Sequence, residues 1–198
     1  SQAMPPKGHH SRPYRRHEKG LLRMDGKPGF TTETGKVELY CKAFESWGVD
    51  PLPFYKEPAQ GPTVVPELYK KYPLIMITGA RSHMFFHSEH RMIPWLREKN
   101  PEPYVEVHPD TAKDFNVGDG EWIYLENDMG KVKRKVRISL RVHPKMVHTL
   151  HSWWMPEMKG SEPDLFGVWD YQINQIVPGP QDSQSGFGGG QYKTTLCK

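Results

Sequence analysis

Cysteine is almost absent from this 198-residue chain: Cys41 and Cys197 stand far apart, with no Cys-x-x-Cys spacing. That shortage argues against an iron–sulfur cluster or a cysteine-ligated zinc held by these residues alone, and leaves open a single disulfide. Also lacking is any apolar run near the roughly 20 residues that a membrane helix requires, and the N-terminus carries no signal-peptide core. Neither sign of charge dominates, since 27 Lys and Arg oppose 23 Asp and Glu for a net charge of +4. Such a balance permits an anionic ligand without demanding nucleic acid. No internal repeat is evident. The 19 prolines foretell much irregular structure, but aromatic residues at 12% are too many for a solvated tail.

What is present concentrates in residues 74–96. The run Leu-Ile-Met-Ile at 74–77 shows no polar alternation and reads as a strand buried on both faces. It breaks at Thr78-Gly79-Ala80-Arg81-Ser82-His83. A strand that ends in Gly and continues into Arg, Ser and His offers backbone N–H groups, a forked cation and short donors at the edge of a packed scaffold. An anionic, hydrogen-bond-rich ligand needs these groups. A tight turn with a solvated Arg81 is the plainer alternative.

Before this stretch, residues 1–28 read as a flexible leader and 29–71 as an extended, proline-rich strap, with a short strand expected near 37–40 that places Val37 and Leu39 on one face. Residues 72–198 read as the main domain. Within it, alternation at 103–108 marks a strand, and Pro109 opens a short helix with Ala112 and Phe115 inward. A hairpin follows through Asn127-Asp128-Met129-Gly130, then strands at 146–150 and 192–196. Several short strands with one or two short helices and long loops point to a mainly β, compact barrel.

Lys131, Lys133, Lys135 and Arg137 share one strand face by their spacing of two, which reads as a solvated face, with a basic nucleic-acid-binding barrel as the alternative. Arg134 falls on the apolar face, and this account does not explain it. His83, His87 and His90 would share a face on a helix, the basis for an alternative small zinc hydrolase, although no His-Glu-x-x-His order is present. His148 and His151 add a second pair, and the adjacent Trp153 and Trp154 point to opposite sides of an extended segment, so that one can face a groove.

Four pieces in order carry a family resemblance: the Gly29-Phe30 to Tyr40 stretch, the Thr78-Gly79-Ala80-Arg81 loop, Asn100-Pro101-Glu102-Pro103 leading into Val105-Glu106-Val107-His108-Pro109, and the spacing of Asn174, Asp182, Ser185-Gly186 and Lys193. Together they resemble the C-terminal part of molybdopterin oxidoreductases of the dimethyl sulfoxide reductase family. Where that family often has Asp-Pro before Ser-Gly, this chain has Asp182-Ser183. The resemblance implies a six-stranded double-psi β-barrel, aspartate decarboxylase-like, that binds molybdopterin guanine dinucleotide carrying molybdenum or tungsten. It implies cofactor contacts from Thr78, Gly79, Arg81, Ser82, His83, His87 and Ser88, from His148, His151, Ser152 and Trp153, and from Asn174, Gln191, Tyr192 and Lys193. No catalytic residue and no metal ligand is expected in this chain, and an iron–sulfur cluster is expected only in an N-terminal part of the parent enzyme. The implied partners are the remaining domains of a catalytic subunit together with electron-transfer subunits, with no nucleic acid and no direct membrane contact. The expected setting is soluble, in the cytoplasm or periplasm of a prokaryote.

Overall fold

The computed structural model describes residues 15–52, 55, 57–80, 82–179, 190 and 193–198, and the chain divides into two compact units, Ser1–Phe54 and Tyr55–Lys198. In the first unit the described residues form turns and one short helix, α1 (Lys42–Ser46). The Gly29 N–H donates to the His17 carbonyl at 2.8 Å, and the Phe30 and His17 rings stack with centroids 4.9 Å apart. The strand expected near 37–40 does not form, and Val37 and Leu39 are exposed. No neighbouring ladder takes up its backbone. Instead the Phe30 N–H bonds back to Gly35 O at 2.8 Å, and the Glu38 carboxylate accepts both the N–H and the hydroxyl of Thr34 at 2.8 Å.

Proline marks where helices begin in the second unit. The helices α2 (Pro66–Lys71), α3 (Pro94–Lys99) and α4 (Pro109–Asp114) each open on Pro, whose fixed φ suits the first turn and whose missing N–H is not needed there. The strands are β1 (Leu74–Ala80), β2 (Tyr104–Val107), β3 (Trp122–Asn127), β4 (Gly130–Ile138), β5 (Met146–Leu150) and β6 (Thr195–Cys197). Between β5 and β6 lies α5 (Val168–Tyr171), flanked by single 3-10 turns at Leu165–Gly167 and Ile173–Gln175.

These strands form one six-stranded sheet in the order β3-β4-β2-β5-β1-β6. Pairs β1/β5 and β2/β4 are parallel, whereas β1/β6, β2/β5 and β3/β4 are antiparallel. The two edges then meet. Glu126 and Lys198 exchange both backbone hydrogen bonds at 3.0 Å, and Asn127 Nδ2 donates to the Ile176 carbonyl at 2.7 Å. The sheet is thus a nearly closed barrel, and closure removes the unpaired edges that an open sheet exposes.

Alternation fills the inside. Leu74 and Met76 of β1, Val105 and Val107 of β2, Leu125 of β3, Val132 and Val136 of β4 and Val147 of β5 are buried together with Ile173 and Ile176. Each contributes on the order of 1.5–3 kcal/mol of burial. The expectation that β1 is buried on both faces is corrected: Ile75 and Ile77 are only partly buried, because they lie on the barrel's outer surface. Phe115 is likewise not inward but half-exposed at the end of α4, while Ala112 is in the core. A second cluster, Phe85, Leu150, Trp153 and Met155, adjoins the C-terminal ends of β1 and β5.

Candidate functional site

The site begins with an irregularity in β1. Ile77 pairs with His148 and Ala80 with Leu150, so three steps on β1 span two on β5, a bulge at Thr78-Gly79. Bulges re-aim the side chains that follow and end regular pairing. Gly79 is exposed, and a Cβ placed on it would meet nothing within 4 Å, which leaves room for a ligand to approach the backbone. Thr78 is buried beside it.

Beyond β1 the chain runs through turns, with His87 and His90 in the left-handed region at φ of 49° and 71°. His83, His87 and His90 therefore do not share a helical face, and no group of three His, Cys, Asp or Glu able to hold a metal occurs among the described residues. Instead, Ser82, His83 and His87 converge with His151, which follows β5, around a cavity of about 230 Å³. His87 Nδ1 lies 3.2 Å from His151 Nε2, a hydrogen bond between residues 64 apart in sequence. The turn at 151–152 is sharpened by Ser152, whose φ is 54°.

Arg91, which the sequence did not single out, forms the floor. It is 2% exposed. Its Nη1 donates to the His87 carbonyl at 2.7 Å and its Nη2 to the His151 carbonyl at 3.4 Å, tying the two histidine turns together. The guanidinium stacks over Phe85 and Trp153 at 4.9 and 4.6 Å from their centroids. Burial, with Arg97 nearby, pushes Arg91 down to about 10, so it stays charged at neutral pH. Nothing in the sequence separated Arg91 from a solvated loop arginine except its place four residues after His87.

Other expected site residues lie elsewhere in the barrel. Trp153 is wholly enclosed under Arg91, with Phe85 edge-on at 5.7 Å. Trp154, half-buried, donates its indole N–H to the Ser88 carbonyl at 2.6 Å and so pins the histidine loop from the other side. His148 faces Glu106 across the β2/β5 pairing, Nδ1 to Oε2 3.2 Å, and does not line the cavity. Asn174 is exposed in the 3-10 turn against β4, and Lys193 is exposed just before β6. Arg81, Gln191 and Tyr192, with Asp182, Ser185 and Gly186, lie outside the described residues.

The donor balance tests what the cavity can take. Arg91 Nε, Arg97 Nη1 and Trp153 Nε1 are buried N–H groups without an acceptor among the described residues. Of these Arg91 lines the cavity, and a buried cation with an unmet donor there suits a ligand rich in acceptors and negative charge.

Residues 74–195 match the family described as "Molydopterin dinucleotide binding domain". Dopamine dehydroxylase of Eggerthella lenta is 35% identical over 196 aligned positions, which take in 87% of this chain and 19% of that protein. Acetylene hydratase of Syntrophotalea acetylenica is 39% identical over 132 positions, 67% of this chain and 18% of the relative. The solved structure of acetylene hydratase from Pelobacter acetylenicus superposes with a TM-score of 0.78 at 31% identity, covering 89% of this chain and 25% of that one. The chain thus spans about a fifth of the length of these curated relatives. With a family match across nearly all of the barrel and relatives of this similarity, the chain belongs to the molybdopterin dinucleotide-binding domain family.

Proposed function

We propose that this chain seats molybdopterin guanine dinucleotide, carrying molybdenum or tungsten, within a larger oxidoreductase whose other domains and electron-transfer subunits complete the enzyme. The observation that carries this reading is the cavity at the ends of β1 and β5, where Ser82, His83, His87 and His151 gather over a buried arginine within the family match. When bound, the cofactor supplies the redox chemistry. The protein's own part is recognition and electrostatics. Gly79 leaves the backbone N–H groups approachable, Ser82 and the histidines donate hydrogen bonds, and Arg91 fixes both histidine turns.

From the family resemblance the proposed cofactor contacts also include Thr78, Ser88, His148, Ser152, Asn174 and Lys193, together with Arg81, Gln191 and Tyr192, which lie outside the described residues, while Trp153 packs beneath Arg91. The barrel is read as double-psi and aspartate decarboxylase-like. Two parallel pairs set among antiparallel ones, β1/β5 and β2/β4, support that topology. The leader at 1–28, the strap at 29–71 and the barrel at 72–198 are the corresponding divisions, in an enzyme of anaerobic respiration. Among the described residues no helix is long and apolar enough to cross a membrane.

The test is a titration of the 198-residue chain with guanosine diphosphate, followed by backbone amide NMR. Shifts concentrated in residues 78–91 and 150–152 are expected. An unchanged spectrum at millimolar nucleotide would overturn the assignment of this cavity.

A further inference from the structure

Among the described residues, the charged side chains that are buried are two arginines, and both act on the same turn. Arg134 projects from β4 into the barrel between Val132 and Val136 and is fully enclosed. Its Nε donates to Thr149 Oγ1 at 2.8 Å, its Nη1 to the Lys133 carbonyl at 2.7 Å and its Nη2 to the Leu150 carbonyl at 3.4 Å. Arg91 takes the next carbonyl, that of His151, from the adjoining cluster. Successive peptide groups, 150 and 151, are therefore held by guanidinium groups from two different packing units.

Neither arginine has a carboxylate partner among the described residues. Burial lowers Arg134 to about 9 and Arg91 to about 10, which leaves both charged at pH 7. An unpaired buried guanidinium is costly, and an apolar side chain of similar volume would stabilise the barrel at least as well. Arg91 lines the cavity and Arg134 bonds the carbonyl of Leu150 in its wall, so an anion in the cavity would offset both charges, and a charge inside the protein acts over a longer range than one in water.

We propose that Arg91 and Arg134 form a paired charge clamp on the 150–151 turn, two positioning residues that hold His151 and His87 at the cavity and set a positive potential there matched to the diphosphate of the ligand. This rests on the cavity being part of the cofactor seat. It goes further by assigning preference for the diphosphate to two buried charges, Arg91 in the cavity floor and Arg134, which lies outside the lining and acts through the turn.

The experiment compares guanosine with guanosine diphosphate on the 198-residue chain by calorimetric or NMR titration. The wild type binds the diphosphate more tightly than the nucleoside. Arg134→Met should lower that ratio by about tenfold with guanosine affinity unchanged, since only the charged part of the ligand senses the lost cation. Arg134→Lys, whose buried ammonium gives up its proton more readily than a guanidinium, should restore part of the ratio at pH 6 and less of it at pH 8. Arg91→Met, which alters the cavity floor, should weaken both ligands but the diphosphate by about tenfold more, and the wild-type ratio should persist at raised salt, where exposed charges are screened. A variant that loses guanosine and guanosine diphosphate affinity alike, or that keeps the ratio intact, overturns the clamp. If Arg134→Met does not fold, Arg91→Met and Arg134→Lys decide the question. Failure of the wild type to bind either nucleotide would instead overturn the cofactor seat itself, and the clamp with it.

Discussion

Around Trp153 and along the outer face of the β3–β4 hairpin the same chemical pairing recurs, a cation over an aromatic ring, in opposite surroundings. On the hairpin, Lys131 lies 4.6 Å from the Tyr124 ring centroid and Lys133 5.1 Å from that of Trp122, and both rings are exposed. Arg137 sits 3.7 Å from the Tyr104 centroid on the neighbouring strand. At the site, Arg91 lies on Trp153 with both enclosed. Water solvates the first set of charges and is excluded from the second. Exposed cation–π pairs contribute about 0.5–1 kcal/mol, while desolvated ones reach about 2 kcal/mol and carry an unmet electrostatic demand with them. The comparison teaches that charge count says little about where a ligand binds. A charge kept out of water says more.

Trp153→Ala should separate the two regions most sharply. It empties the centre of the second cluster, and a loss of about 3–5 kcal/mol is expected in urea denaturation. A loss below about 1 kcal/mol would mean that the turn at 150–153 is held without this cluster. Thr149→Val comes next. It removes the acceptor of Arg134 Nε and the donor to the Tyr104 carbonyl, and should lower the denaturation midpoint by the equivalent of about 1–3 kcal/mol.

On the exposed side, Trp122→Ala should cost at most about 1 kcal/mol despite removing an equally large ring, because Trp122 keeps 40% of its surface in water. A cost matching that of Trp153→Ala would erase the contrast. Smallest of all, Lys133→Ala should stay within about 0.5 kcal/mol, and that remnant should fade with added salt while the Thr149→Val loss does not. Thermal melts at two ionic strengths would check both.

Much of the barrel was legible because strand alternation is a local signal. The span 146–150 agrees with β5 residue for residue, and the hairpin at Asn127 to Gly130 turns through Asp128 and Met129 as its Asn and Gly suggested. Even the awkward Arg134 was visible as a cation on an apolar face. Its reason was not, since Thr149 and the Leu150 carbonyl reach it only through strand pairing. The helix starting at Pro66 was missed because proline was read as a breaker when it stood at a helix start, and the one starting at Pro94 lies in a stretch for which no helix was expected.

Four of the expected site residues, Ser82, His83, His87 and His151, meet at one cavity, yet the residue beneath them, Arg91, gave no sign. A buried arginine and a solvated one look alike in sequence. Only the packing of Phe85 and Trp153 around it makes the difference. The strand foreseen near 37–40 failed for the converse reason, as a local pattern with no neighbour to complete it.

The extra residue at Thr78-Gly79 works as a phase slip. Up to Ile77, β1 keeps the beat of the barrel, with even-numbered side chains inward and odd-numbered ones outward. At Ala80 an even-numbered residue pairs where an odd-numbered one would have stood, so the strand ends one residue out of register with its first half. One strand thereby serves two masters: its first half obeys the packing of the interior, and its continuation is free to follow the geometry of the cavity. Sequence change at the exposed positions beyond the slip, unlike change at Phe85 or Arg91, leaves the packing of both buried clusters untouched.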